Sequence, residues 1–558
     1  MKIFKRTAAC LLAFCLLTGC ASGQQSTASE GADTAVSQSE GKPEKKDKKD
    51  KKDKKDKKDK KDKKDEGGNT VVKTAETSGT MPVIAVQTKS DDANALNFVT
   101  KPVAKHVAES IASWTPGYKM PPEPYYEDCL VTVTDTDGSV QLDTVDAKAK
   151  VRGNWTTSYD KKPLRISFDK KQSVLGLNGG AEFKNWVLLA EYKDISMLRN
   201  KTALQIAREI LGEDGYYSSD AKLVELTVNG EYFGVYLLAE MQQIKSGRID
   251  ITEAEKDYTG TDIGYFLEYD GYYYNEDDLH QFFVSYCKDA ALTPYDGKGG
   301  SGRTATPLCG GRNNVGISVK SEIYSKEQHD FIASYVSNVY KIMYEAAYND
   351  KAYTFNSDYT EITEDSSLTP QQAVEAVVDV KSLADSYILC ELACDADIYW
   401  SSFFMDVDFG EGGSKKLTFE APWDFDSALG NKDRCATGEG FYAANIVSDV
   451  NDQYKTINPW LAVLMNEDWY VDTVKERWTK AYDSGVFERA IQSVGDDSSA
   501  YEKAFEMNYD KWDNIRFNAA ANEWCRASAA CKTEKEAADY FKNWLTTRVD
   551  FLNSEWHN

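Results

Sequence analysis

The sequence predicts an α+β fold in two lobes, β-rich first and α-rich second, behind an exported, lysine-rich leader. Three observations carry that expectation. About 480 residues from Met81 onward run without a second linker, which is more than one simple domain by the usual length prior. Alternating apolar stretches dominate the body up to about residue 245, and helical spacing dominates after Val380. The lobes are accordingly placed at about 80–245 and about 246–558. A 12% aromatic content suits a core of that size.

The N-terminus reads as an export signal. Lys2, Lys5 and Arg6 precede an apolar run from Ala8 to Leu17, too short to span a bilayer and of signal length. The run ends at Leu17-Thr18-Gly19-Cys20, which resembles a bacterial lipobox. That pattern implies a signal peptide over 1–19, cleavage before Cys20, and lipidation of Cys20. The expected location is the extracytoplasmic face of the cell membrane, held by lipid rather than by a spanning helix.

Residues 20–79 read as a disordered tether. Lys45 to Asp65 is seven copies of Lys-Lys-Asp, with nothing apolar to bury against the entropy of ordering. The repeat carries +7, and since the whole chain is −24 the remainder carries −31. A basic leash therefore precedes an acidic body. The leash is expected to be a solvated spacer, with contact to wall phosphate or anionic lipid as a further role. The negative body argues against a nucleic-acid partner.

In the first lobe, Met81 to Val86 and Leu130 to Thr134 read as strands. Leu164-Arg165-Ile166-Ser167-Phe168 is a third, with Arg165 on the face opposite its apolar residues. Asp194 to Gly212 reads as a helix with its start, and Ser196 is a candidate N-cap. Asn229-Gly230 between Leu223–Val228 and Tyr232–Leu238 is a strong hairpin signal. Tyr272 to Thr306, rich in Tyr, Gly and Asp, reads as an elaborate loop. In the second lobe Val380 to Leu392 is an amphipathic helix. Strands follow at Ser402–Val407 and Lys416–Phe419, and a helical pattern runs from Asn458 to the end. Eight cysteines lie in the body. Export allows them to pair, though Cys390 and Cys394, one helical turn apart beside an apolar face, are better read as buried thiols. Without Cys-x-x-Cys, and with four scattered histidines, a Cys/His zinc site is not expected.

The order helix, acidic loop, short β-hairpin, acidic loop carries the chemistry. Protein kinases use it to set two carboxylates against one nucleotide: one orients the acceptor hydroxyl and takes its proton, the other holds Mg²⁺ against the phosphates. Asp397 is placed as the first and Asp424 as the second, with Asp426 or Asp395 as a further metal ligand. The competing reading is that 90 acidic residues produce such clusters by chance and that an Asp at a turn caps or solvates.

Several segments resemble the CotH kinase family. They are Arg152-Gly153-Asn154-Trp155, Lys161-Lys162-Pro163-Leu164-Arg165, Lys184 to Leu189 and Leu198-Arg199-Asn200-Lys201. Asn229 to Tyr236, Glu391 to Asp397 and Pro422 to Asn431 complete the set in the same order. The likeness runs from about Met81 to the C-terminus. It implies an atypical protein-kinase-like fold that binds ATP with Mg²⁺ or Mn²⁺ and phosphorylates proteins. It also implies that Asp397 is catalytic, that Asp424 binds metal, and that Arg152, Lys162 and Arg165 approach the phosphates. Lys162 is chosen over its neighbour Lys161, although either could be a solvated charge. Arg199 is a candidate phosphate or carboxylate partner, or else half of a structural ion pair. Glu240 would lie near an adenine hinge, or else is a plain strand-end carboxylate. Two departures stand out. Asp395 replaces an Asn common in relatives, and Ser402 stands where a kinase carries a metal-binding Asn. The expected activity is transfer of the ATP γ-phosphoryl group to Ser or Thr of a surface or exported protein. The alternative is a surface adhesin, or a carbohydrate- or wall-binding module, on a kinase-like scaffold, for which 33 Tyr and 12 Trp could build platforms.

Overall fold

Period-two alternation of apolar side chains winds the first half of the chain into a barrel. In a computed structural model the described residues are 72–558, apart from 74, 91–93, 285–289, 298–303, 306–314, 434–435, 449–454 and 514–525. The signal segment, Cys20, the lysine repeat, Cys287, Cys309, Cys435 and Cys525 lie outside the described residues. Val72–Glu109 with Met120–Asn558 forms one unit; Ser110–Lys119, the end of a helix and the turn after it, is grouped apart from it.

The barrel strands are β1 (Val83–Thr88), β2 (Glu127–Thr134), β3 (Val140–Val151), β4 (Leu164–Gln172), β5 (Phe183–Leu189), β6 (Ala221–Val228) and β7 (Glu231–Glu240). They close in the order β1-β2-β3-β4-β5-β7-β6, antiparallel except for the β1–β6 seam. Closure removes the exposed edges that an open sheet of this length would present. Trp186 and Leu188 of β5, with Tyr236 and Leu238 of β7, join the barrel's own core. Their alternates Val187, Leu189, Val235 and Leu237 join the core shared with the helices. Strands buried on both faces read as near-continuous apolar runs, and β5 and β7 do. The expected hairpin at Asn229-Gly230 is present, both residues taking positive φ (53° and 80°) as a tight two-residue turn requires.

Seven helices matter here: α1 (Arg199–Leu211), α2 (Lys326–Asn349), α3 (Val380–Ala393), α4 (Asp468–Asp483), α5 (Val486–Ala500), α6 (Glu502–Lys511) and α7 (Glu534–Trp556). Helix α1 packs against α3 and α5, and α6 against β7, so the C-terminal helices clasp the barrel wall. No described helix is long and apolar enough to cross a membrane.

The class is mixed α and β, with four departures from expectation. The β-rich half is a closed barrel. Strands continue into the second half, where β8 (Gly264–Asp270), β9 (Gln281–Phe282) and β10 (Gly316–Val319) form a four-stranded sheet with β13 (Phe403–Asp408), after the two-stranded β11 (Tyr353–Phe355) and β12 (Ile362–Glu364). The hairpin expected between the acidic loops is not a local pair. β13 pairs with β8, and 416–419 makes only the bridges Val378↔Leu417 and Asp406↔Thr418. Helix α1 begins at Arg199, two residues later than a cap at Ser196 would place it, because Asp194 and not Ser196 takes the donors at its start. Its carboxylate accepts from the N–H groups of Ser196, Leu198 and Arg199 at 2.9–3.0 Å. Cys390 and Cys394 are buried, and Cys390 is a free thiol.

Candidate active site

The first acidic loop hangs from the end of a helix, and the second follows a segment paired only through isolated bridges. Helix α3 stops at Cys394, whose φ of 47° turns the chain left-handed, and Asp395 and Asp397 follow. The Asp395 carboxylate is buried and accepts the Asp397 N–H at 2.9 Å. The second loop starts at Asp424, itself left-handed at φ 70° and ψ 55°, and continues as a short 3₁₀ turn over Phe425–Ser427. Short polar residues such as Asp tolerate this region better than most, but it still has to be held. Carboxylate oxygens of Asp397, Asp424 and Asp426 come within 4.8 Å of one another.

Three carboxylates so close repel. Burial, Asp426 and Asp397 push the Asp424 carboxyl up to about 8, against Lys193 and Arg152, which pull it down. Lys193 is the cation among them, at 3.2 Å from Asp426 and 2.9 Å from the Ser427 hydroxyl. Burial works against its charge, but Asp426, Tyr159, Asp397 and Asp424 outweigh it and hold it well above the usual lysine value.

The cluster forms one end of a cleft of about 910 Å³. Arg152 and Arg165 line it from the barrel side, with Lys161, Glu191 and the strand-exit segment Met241–Lys245. Arg152 follows β3 and lies 5.8 Å over the Trp423 ring. Its turn needs Gly153, which has φ 94° and no room for a Cβ, 2.6 Å from the Thr156 hydroxyl. Arg165 faces the cleft as the alternation of β4 requires, and donates to Asn185 Oδ1 at 2.9 Å. Ser402, Glu268 and Lys320 line it as well, from the second sheet and the segments beside it. Glu268 accepts from the Ser402 N–H at 2.8 Å and from Lys320 at 2.9 Å.

Of the residues singled out from sequence, Asp397, Asp424, Asp426, Arg152, Arg165 and Ser402 meet at this cleft. Four others do not line it. Lys162 turns its ammonium inward to the carbonyls of Thr157 and Tyr159, so its neighbour Lys161 is the one in the cleft wall. The Lys161 ammonium itself donates to Val235 O and Asn508 Oδ1, and burial lowers it to about 7, against Glu191. Arg199 is fully buried in an ion pair with Asp194 and lies 5.0 Å over the Phe541 ring. Glu240 is fully buried against Arg248 at 3.1 Å, and the segment just after it faces the cleft instead. Asp395 supports the Asp397 loop from below and is not among the three clustered carboxylates. A sequence cannot separate such charges from ligands, because a buried ion pair and a ligand contact draw on the same residue types. Lys193, Glu191, Glu268 and Lys320 also line the cleft, and no sequence motif singles them out. Lys193 offered one signal, its place between the segments Lys184–Leu189 and Leu198–Lys201.

Oxygen donors alone make the cluster suited to a hard divalent cation such as Mg²⁺ or Mn²⁺. The Arg152, Arg165 and Lys193 side chains that line the same cleft suit anionic oxygens. A family model described as CotH kinase protein matches residues 149–552. No curated protein matches the chain.

Proposed function

The chain belongs to the CotH kinase protein family, and from that premise we propose that it transfers the γ-phosphoryl group of ATP to a Ser or Thr hydroxyl of a surface or exported protein. The observation that supports this most is the meeting of Asp397, Asp424 and Asp426 within 4.8 Å, although Asp397 and Asp424 belong to loops separated by β13. In this reading Asp424 and Asp426 hold Mg²⁺ or Mn²⁺, which supplies charge neutralisation to the phosphates. Arg152 and Arg165 bind phosphate oxygens, and Lys193 balances the acidic cluster. Asp397 orients the acceptor hydroxyl and takes its proton as the oxygen bonds to the γ-phosphorus. The bond from that phosphorus to the β-phosphate oxygen breaks, and ADP leaves. Positioned charge is most of what phosphoryl transfer asks of a protein. The apolar part of the cleft, with Leu189, Met241, Phe266 and Phe404, suits the base.

The same proposal places the protein outside the membrane, tethered through lipid on Cys20 and a spacer over 20–79, with its acceptor within reach of that leash. Purified protein with labelled ATP and Mn²⁺ tests the activity. Transfer should occur and be lost in Asp397→Asn and Asp424→Ala. Absence of nucleotide binding, with glycan binding intact, would replace this reading with that of a surface binding module.

A further inference from the structure

In the motif Leu198-Arg199-Asn200-Lys201, Arg199 pairs with Asp194 and Lys201 with Asp497, while Asn200 reaches the second acidic loop. Asn200 is the second residue of α1 and is buried, 5% exposed. Its Oδ1 accepts from the Phe425 N–H at 2.7 Å, and its Nδ2 donates to both Glu191 oxygens at 3.1 Å. Only one orientation of the amide satisfies a backbone donor on one side and a carboxylate on the other. The two groups it joins are unusual in the same way. Glu191 has φ 51° and Asp424, the residue before Phe425, has φ 70°. Non-glycine residues hold that region only where surrounding contacts fix them. The strut itself is fixed, because the first turn of α1 is locked by the Asp194 carboxylate and the buried Arg199–Asp194 pair.

We propose that Asn200 is a positioning residue for the metal-binding loop. Its amide holds the peptide after Asp424, keeps Asp424 left-handed, and so directs that carboxylate toward Asp397 and Asp426. Glu191, lining the cleft, anchors the other end of the strut. The inference rests on the reading that the acidic cluster holds a divalent cation.

The test is Mn²⁺ affinity, followed by electron paramagnetic resonance on the full chain, with a thermal melt on each variant. The variants are Asn200→Ala, Asn200→Asp and the pair Asn200→Asp with Glu191→Gln. Loss of an outer partner that orients a metal ligand weakens binding by about 10- to 100-fold, and that is expected of Asn200→Ala. Asn200→Asp keeps an acceptor for the Phe425 N–H but sets a carboxylate against Glu191, and should also bind weakly. Adding Glu191→Gln reverses the donor and acceptor, and should recover affinity to within about 3-fold of the native protein, or about 0.7 kcal/mol. A purely structural role would lower the melting temperature and leave the affinity of the folded protein unchanged. Native affinity in Asn200→Ala, or no recovery in the paired variant, overturns the proposal. Should Asn200→Ala not fold, the Asp variant and its paired partner decide. Absence of Mn²⁺ binding in the native protein would remove the metal reading itself. The strut would then stand or fall on a crystal structure of Asn200→Ala, and a left-handed Asp424 retained with no side-chain acceptor for the Phe425 N–H would refute it.

Discussion

Metal binding should be steeply pH-dependent in a range where ordinary aspartates are silent. Asp424 is raised from 3.8 to about 8 by burial and by its neighbours Asp426 and Asp397. A divalent cation binds the ionised carboxylate, so below the raised value it must displace a proton. The ionised fraction is about half at pH 8 and about one part in a hundred at pH 6. Mn²⁺ affinity should therefore fall roughly 50-fold over that interval, or about 2.3 kcal/mol at 1.36 kcal/mol per unit. The sign for stability without metal follows from the same shift. Between about pH 4 and pH 8 the folded chain keeps a proton that the unfolded chain releases, so stability falls as pH rises through that window. Isothermal titration in two buffers of different ionisation enthalpy measures both affinity and protons released. The expected result at pH 7 is close to one proton per Mn²⁺ bound. A flat affinity between pH 6 and 8, with no proton release, would refute the argument that crowding and burial of these carboxylates set the site's chemistry.

The basic residues should separate into two classes. Arg165→Ala, which opens the cleft wall, should raise KM for ATP about tenfold or more with little change in thermal stability, since a charged hydrogen bond is worth about 1.5–3 kcal/mol. Arg199→Ala should cost about 3–5 kcal/mol of stability, because it leaves the fully buried Asp194 carboxylate unpaired. Equal effects of the two substitutions on KM in folded protein would contradict that division. Gly234→Ala should destabilise by about 1–3 kcal/mol. At φ 105° its Cβ would lie 2.5 Å from Asn508 Oδ1, which also receives the Lys161 ammonium and the Val235 N–H, and chemical denaturation would read the loss.

Short-range order made several features legible in the sequence. The alternation along β4 puts Leu164, Ile166 and Phe168 in the core and leaves Arg165 for the cleft. The apolar run of α3 marks that helix and so places Asp397 just beyond it, but the helix is not amphipathic as expected: Ser382 to Ala393 are buried on every face, and it ends at the left-handed Cys394. Asn229-Gly230 sets the register of β6 on β7, because few dipeptides accept two successive positive φ values. Local order misled at the second acidic loop, where β13 turned away from its neighbour in sequence to pair with β8. It misled also at Ser196, because the residue that caps α1 lies two positions earlier and reaches forward.

Sequence by itself determined which residue types are on hand and roughly where they fall along the chain: the charge segregation, the two acidic loops and the family. Tertiary structure alone decided which charges meet. It brought Lys193 to Asp426 and set Asn200 between Glu191 and Phe425, and it buried Arg199 and Glu240 against partners only five and eight residues away, where burial and not distance along the chain decided their role. The physical reason is range. Backbone propensity and apolar periodicity act over a few residues and are written locally. The Coulomb and desolvation energies that separate a ligand-facing charge from a structural one depend on partners that can lie hundreds of positions away in the chain, and only packing brings those together.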